Sequence, residues 1–357
     1  MEKNAMNQNT KEFTKNNKNN KNNKNNKNNK NNKNNKSNKS NKNNNKKIIL
    51  KQINEKNSSS SNSPLFKTHH PTLGDHTYII ENPDAFEILT KPYLVGADLG
   101  FAAQKSSQDF LRKAFEICPE FSQGTFTQVA EVVPLAGALY YRVRDAFREV
   151  FHHSLRQCFV GAKRKYNPKL KKWETALSYL NFEALPKKPI ILIGDTIATG
   201  GTIIKILKIL LSRAPDTRAI LVYSIAGSKI GAQKLHKLEK EIGIPIYSFF
   251  SNALFGVAKN GTDMPWLHPD TICTNAQRIS AIQKYGKKLA SEWCSVWDWG
   301  ERAKDPETHL SMVLKRIEKD VNQIEEKETQ EILLEFKEKA KTYLKKRRAK
   351  LKNNQEN

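Results

Sequence analysis

The hydrophobic pattern is sharpest between Pro189 and Leu211, PIILIGDTIATGGTIIKILKILL. Ile190-Ile191-Leu192-Ile193 is an unbroken apolar run too short for a helix, as in a strand covered on both faces. Ile203, Ile204, Leu207, Leu210 and Leu211 then recur at helical spacing around Lys205 and Lys208, which predicts an amphipathic helix. Between strand and helix lies a small, hydroxyl-rich and glycine-rich turn, residues 194–202.

Similar units flank this one. Thr125–Pro134 reads as a strand, followed by a turn at Leu135-Ala136-Gly137-Ala138 and a helix to about Leu155 with Leu139, Val143, Ala146, Phe147 and Val150 on one face. Cys158–Gly161 is a second strand, Lys163–Trp173 a polar excursion, and Ala176–Phe182 a further strand. Beyond the central unit come a strand at Ala219–Ile225, a helix at Ser228–Ile242 and a strand at Pro245–Phe250. Strands alternating with helices predict an α/β domain, a mostly parallel sheet flanked by helices with right-handed crossovers. Ligands bind such sheets at the carboxyl ends of the strands, where Gly137 and Asp195 both fall. Residues 65–119 are less patterned; Phe110, Leu111, Ala114 and Phe115 suggest a peripheral helix. After Pro306, Leu310, Leu314, Ile317, Val321, Ile324, Leu333 and Phe336 share one face of a long helical extension, a helix or helix pair that docks on the domain or dimerises.

Composition separates the ends from the middle. The chain of 357 residues carries a formal charge of +25, but residues 1–57 hold sixteen lysines against three glutamates, and residues 337–357 hold nine basic and two acidic residues. Residues 15–45 repeat Lys-Asn-Asn with almost nothing to bury, which predicts a disordered tail closed by a Ser-rich linker. The domain organisation read from these shifts is 1–63 tail and linker, 64–305 α/β domain, and 306–357 helical extension with a basic end. The basic tails suit weak, nonspecific contact with RNA or other polyanions. Four widely spaced cysteines and no C-x-x-C fit a reducing compartment. No apolar run reaches the ~18 residues of a membrane span. Without a signal-type apolar core, or an arginine before Arg112, a cytoplasmic location is the expectation.

The central turn has the chemistry of an anion site. It is not a nucleoside-triphosphatase loop: the second glycine of that pattern would fall on Thr199, and no lysine follows Gly201. What it offers is one carboxylate, Asp195, at the strand end, then a Thr199-Gly200-Gly201-Thr202 cradle at a helix N-terminus. Free backbone N–H groups and the helix dipole favour a phosphate there. A carboxylate can hold vicinal ribose hydroxyls about one sugar away. Together these would grip a ribose 5-phosphate; the plain alternative is an ordinary glycine-rich turn.

GDTIATGGT resembles the phosphoribosyl-pyrophosphate loop of type I phosphoribosyltransferases, and over roughly residues 125–270 the chain is most similar to uracil phosphoribosyltransferases. Val133-Pro134-Leu135-Ala136-Gly137-Ala138-Leu139 stands where that family has an Arg-Ala-Gly turn for pyrophosphate. Val160-Gly161-Ala162-Lys163-Arg164, then Glu174-Thr175-Ala176-Leu177-Ser178-Tyr179 and Leu185-Pro186, is similar to a further family stretch. The resemblance implies a Mg²⁺-dependent transferase that moves 5-phosphoribose from phosphoribosyl pyrophosphate to a nucleobase, uracil-like by preference. It makes Asp195 and Arg164 catalytic, places Thr196, Ala198, Thr199, Gly200, Gly201 and Thr202 around the ribose phosphate, and puts Ala136 and Gly137 at the pyrophosphate. The segment from Lys163 to Tyr179 would close over the site.

There are departures. Leu135 replaces the family's arginine, whose contact would fall to Arg142, Arg144 or Arg164. The acid sits one position later, as in adenine phosphoribosyltransferases. The family's uracil loop gives way to Phe255–Asp263, where Asn260, Gly261, Thr262 and Asp263 either present polar groups to a base edge or form a turn. The motif Trp297-Asp298-Trp299-Gly300-Glu301-Arg302 reads as packing or as stacking on a ligand. These departures, with the basic tails, keep open a nucleotide sensor or RNA-binding regulator built on the same fold, and a homo-oligomer is possible.

Overall fold

A computed structural model of the chain describes residues 49–53, 63–168 and 172–353. The Lys-Asn-Asn tract, most of the Ser-rich linker and the side chain of Arg164 lie outside the described residues.

The strands are β1 (Ile49–Gln52), β2 (Leu65–His69), β3 (Thr77–Ile80), β4 (Val129–Leu135), β5 (Arg156–Asn167), β6 (Lys172–Asn181), β7 (Ile190–Gly194), β8 (Ala219–Ser224), β9 (Gly227–Ser228), β10 (Ile246–Ser251) and β11 (Leu254–Phe255). Nine of them form one sheet in the order β1-β2-β3-β10-β8-β7-β4-β5-β6. The strands from β3 to β5 in that order run parallel, while β1, β2 and β6 join antiparallel at the two edges. The helices are α1 (Pro83–Thr90), α2 (Gly96–Ile117), α3 (Pro119–Ser122), α4 (Val143–Phe151), α5 (Gly201–Arg213), α6 (Lys229–Ile242), α7 (Asn275–Tyr285), α8 (Lys287–Glu292), α9 (Trp299–Lys304), α10 (Pro306–Val321) and α11 (Lys327–Asn353). The result is the α/β architecture that the alternation predicts.

The central strands show why the apolar runs are continuous. In β7, Ile190 and Leu192 join one core while Ile191 and Ile193 join the other; in β8, Leu221 and Tyr223 divide in the same way from Ile220 and Val222. Successive side chains point to opposite faces, and here both faces are covered. One face carries α5 and α6; the opposite face carries α1, α2, α4 and the helices after residue 275.

Several expectations change. Residues 49–52, read as part of the tail, form an edge strand paired with β2. The helix around Phe110 is not peripheral: α2 buries Phe110, Leu111 and Ala114 completely, and Phe110 stacks on Tyr223 of the sheet. The helix after Gly137 is interrupted, because a short 3-10 turn (Gly137–Tyr141) ends at Arg142 with φ of 53° before α4 starts, and this leaves Leu139 exposed. The polar excursion after Gly161 extends β5 and pairs with β6, a polar hairpin edge whose register shifts at Gly161/Ala162. The extension after Pro306 docks on the domain: Val313, Ile317, Leu333 and Phe336 enter the main core, and residues 306–353 belong to the same compact unit as the sheet. Among the described residues, no helix is long and apolar enough to cross a membrane.

The chain leaves β4 toward β5 on one side and leaves β7 toward β8 on the other. Adjacent β4 and β7 thus part at their carboxyl ends, opening the crevice where sheets of this kind bind ligands.

Candidate functional site

A cleft of about 890 Å³ opens at that point. Its floor is the turn after β7, Asp195 to Ile203; one wall is Pro134, Leu135 and Gly137 after β4, and Ala162 and Thr175 come from the β5–β6 hairpin. The far side is built by Gly261–Met264, by Glu292–Cys294 and Val296–Gly300, and by Met312 and Arg316 of α10.

The turn after β7 is anchored from below. The Asp195 amide donates to the Tyr223 carbonyl, 3.0 Å, and the Thr196 amide to Asp195 Oδ1, 2.8 Å. Ser228 caps α6 by accepting from the Gly231 amide at 2.9 Å, and its hydroxyl also donates to the Ala198 carbonyl. Gly200 sits at φ of 71°, a left-handed conformation that favours glycine, and a Cβ there would lie 3.2 Å from Gly231 Cα. Gly200 therefore both reverses the chain and lets the start of α5 lie against α6. No described side chain caps α5, so its first amides have no partner within the helix, and Gly201, Thr202 and Ile203 line the cleft. A Cβ built on Gly201 meets nothing within 4 Å. Lys234 of α6 reaches the Thr199 carbonyl at 2.6 Å, and Thr202 meets Thr175 hydroxyl to hydroxyl at 3.0 Å. The polypeptide thus supplies an uncapped helix end, two threonines and open space, an arrangement chemically suited to an anion.

Of the residues singled out from the sequence, Asp195, Thr196, Ala198, Thr199, Gly200, Gly201, Thr202, Gly137, Gly261, Thr262 and Asp263 all line this cleft. Ala136 belongs to the turn but is not a lining residue. Asn260 is used internally: its Oδ1 accepts from the amides of Thr262 and Asp263, each at 3.0 Å, and so builds the turn that presents Gly261–Asp263. Arg164 places its backbone opposite Thr175 in the hairpin. Of the other candidate cations, Arg142 binds Asp145 at 3.0 Å and lies over the Phe101 ring, while Arg144 donates to Gln157 at 3.1 Å. Neither lines the cleft. Among the described residues, Arg316 is the one basic side chain that does.

Two aromatic residues organise the site: Tyr141, not singled out from the sequence, and Trp299 of the tryptophan motif. Tyr141 packs its ring against Gly194; its hydroxyl bonds Thr196 Oγ1 at 3.2 Å and accepts from the Ile225 amide at 3.3 Å. Burial pushes this phenol well above its ordinary pKa, so it stays protonated. Trp299 donates its indole N–H to the Gly137 carbonyl at 2.9 Å, which ties the turn after β4 to the far wall. That explains half of the tryptophan motif. The rest is structural too: Asp298 caps α9 by accepting from the Glu301 amide, and Trp297 donates to the Tyr285 hydroxyl. Arg302 is completely buried and donates to the carbonyls of Ile88, Lys91, Leu94 and Val296 at 2.9–3.2 Å. Desolvation lowers its pKa to about 10, and it remains charged at neutral pH. The motif is a brace that holds the cleft wall.

If the cradle takes phosphate, Gly201→Val should remove measurable ribose 5-phosphate binding while the chain stays folded, because the new side chain enters the open cleft and not the protein. Calorimetry beside a melting curve checks this; unchanged affinity counts against the cradle.

No protein-family profile matches this chain, and a search of curated proteins finds no relative. Solved structures give distant matches. AQ2163 protein from Aquifex aeolicus is 15% identical with a TM-score of 0.40, over 52% of this chain and 91% of that one. A hypothetical protein from Neisseria gonorrhoeae with bound ppGpp is 14% identical with a TM-score of 0.30, over 49% and 87%. Adenine phosphoribosyl transferase from Trypanosoma brucei, in complex with AMP, pyrophosphate and ribose-5-phosphate, is 12% identical with a TM-score of 0.33, over 57% and 95%.

Proposed function

We propose that the cleft binds a 5-phosphoribosyl donor and transfers its 5-phosphoribosyl group to a nucleobase. The observation that carries this is the convergence, in one cleft at the β4/β7 parting, of the uncapped α5 N-terminus, Asp195, the Gly137 turn and the Gly261–Asp263 turn. In this reading the α5 amides with Thr199 and Thr202 hold the 5-phosphate, and Asp195 holds the ribose hydroxyls. The C1–O bond to pyrophosphate breaks with its electron pair on the leaving oxygen, a base nitrogen forms the new C–N bond, and that nitrogen's proton passes to the departing pyrophosphate or to water. Asp195 beside the sugar favours the positive charge that develops on it. The Gly261–Asp263 turn is assigned to the base edge, and the family resemblance makes uracil the first base to test.

The resemblance implies Mg²⁺, an ion carried chiefly by substrate phosphates with one or two carboxylates. Asp195 and Asp263 are carboxylates that line the cleft. Such an ion would neutralise charge on the leaving pyrophosphate.

The absence of a basic side chain from the Gly137 turn, among the described residues, favours a second reading: a nucleotide sensor that binds without turnover. One assay separates the two. Purified protein with phosphoribosyl pyrophosphate, Mg²⁺ and a panel of bases should release pyrophosphate with at least one base. Nucleotide or ribose 5-phosphate binding without release for any base supports the sensor, and no binding of either removes the assignment of the cleft.

A further inference from the structure

The far wall of the cleft comes from a part of the chain that the sequence pattern separates from the α/β domain. Met312 and Arg316 belong to α10, and α10 lies against Glu292–Cys294. Arg316 is fixed there. Its Nε donates to Asp320 Oδ2 at 2.6 Å, the same oxygen accepts from Trp293 Nε1 at 2.7 Å, and the guanidinium lies 5.9 Å from the Trp293 ring centroid. Asp320 is nearly buried, whereas the Arg316 side chain is 43% exposed. A carboxylate holding Nε leaves the two η nitrogens as the remaining donors, the fork suited to a carboxylate or phosphate.

Three other carboxylates of the cleft lining have partners of their own. Glu292 pairs with Lys288 at 2.5 Å, and Asp298 caps α9. Asp263 accepts from the Thr262 hydroxyl at 3.3 Å. The wall also spans two regions of the cleft: the Ser295 amide donates to the Met264 carbonyl at 3.1 Å, next to the Gly261–Asp263 turn, and Trp299 reaches Gly137. At the Gly137 turn Leu135 stands where the family it resembles has an arginine, and Arg142 and Arg144 are engaged with other partners.

We propose that Arg316 is an oxyanion-binding residue of the cleft, so that the C-terminal helices complete the substrate site. The oxyanion is either the pyrophosphate of the donor or an acidic group on the acceptor base. This rests on the reading of the cleft as a phosphoribosyl site, and the test keeps the two apart.

Binding of ribose 5-phosphate, pyrophosphate, uracil and 6-carboxyuracil is measured by calorimetry for the full-length protein and for Arg316→Gln. Ribose 5-phosphate affinity should be unchanged, since it reports on the cradle and Asp195 and not on Arg316. Pyrophosphate or 6-carboxyuracil affinity should fall about tenfold to a hundredfold, as for the loss of a charge-assisted hydrogen bond. Whichever of the two weakens identifies the source of the oxyanion. Arg316→Met, long and apolar enough to pack on Trp293, gives the same comparison should the Gln variant fold poorly. Equal affinities in wild type and variant, or a wild type that binds neither oxyanion, would overturn the proposal. A wild type that fails to bind ribose 5-phosphate while still requiring Arg316 for an oxyanion would instead reject the cradle and leave Arg316 in place.

Discussion

Asp195→Asn should slow pyrophosphate release at saturating substrate by roughly two to three orders of magnitude, as when an electrostatic contact to a transition state is lost. The substitution keeps size and shape, and the backbone at this position is held independently, because the Asp195 amide donates to Tyr223 from a strand end buried in the sheet. Ground-state affinity should fall modestly, since Thr199, Thr202 and the α5 amides still hold the phosphate. What disappears is the charge that makes hydrogen bonds to ribose hydroxyls strong and that opposes positive charge on the sugar. A nucleotide sensor would behave otherwise, with no release by either protein and only a loss of affinity. Turnover unchanged by Asp195→Asn, measured beside calorimetric affinity, would remove Asp195 from the mechanism.

The largest expected loss of stability lies away from the reacting groups. Arg302→Met should destabilise the protein by about 3–5 kcal/mol, the range for breaking up a buried charged network. The guanidinium satisfies four carbonyls, from the end of α1, the following loop and Val296, and methionine can satisfy none of them. Buried acceptors without donors each cost about 1–3 kcal/mol; Lys91 keeps one partner, the Leu94 amide, which holds the total below the sum. Urea midpoints for Arg302→Met and Arg302→Lys check this. An unchanged midpoint in the methionine variant would show that these carbonyls find other donors and that Arg302 is not the brace described.

The central unit was legible because its signals are short-ranged. Four apolar residues, a Gly-rich turn and an amphipathic stretch each reflect local backbone preference and periodicity, and β7 and α5 occupy the predicted residues. The parallel sheet followed from the same alternation. Strands were read at the base of the β5–β6 hairpin, but its outer part, read as a polar excursion from Lys163 to Trp173, was missed as regular structure because strands with both sides polar lack the apolar alternation that marks a half-buried one. α2 was placed at the periphery although its apolar face was seen, since periodicity shows which face is buried but not how deep the helix lies.

By itself, then, the sequence determined the strand–turn–helix, its carboxylate, its glycines and the register that brings them to one end of a sheet. Only the tertiary structure decided what stands opposite. Trp299 meets Gly137 across 162 residues and Arg302 meets Leu94 across 208, and no local pattern encodes contacts at such separations. The docking of α10 depends on apolar matching with the core, a property of two surfaces that a helical period in one of them leaves open. That docking converts Trp293 and Arg316, two unremarkable positions in the chain, into one wall of the cleft.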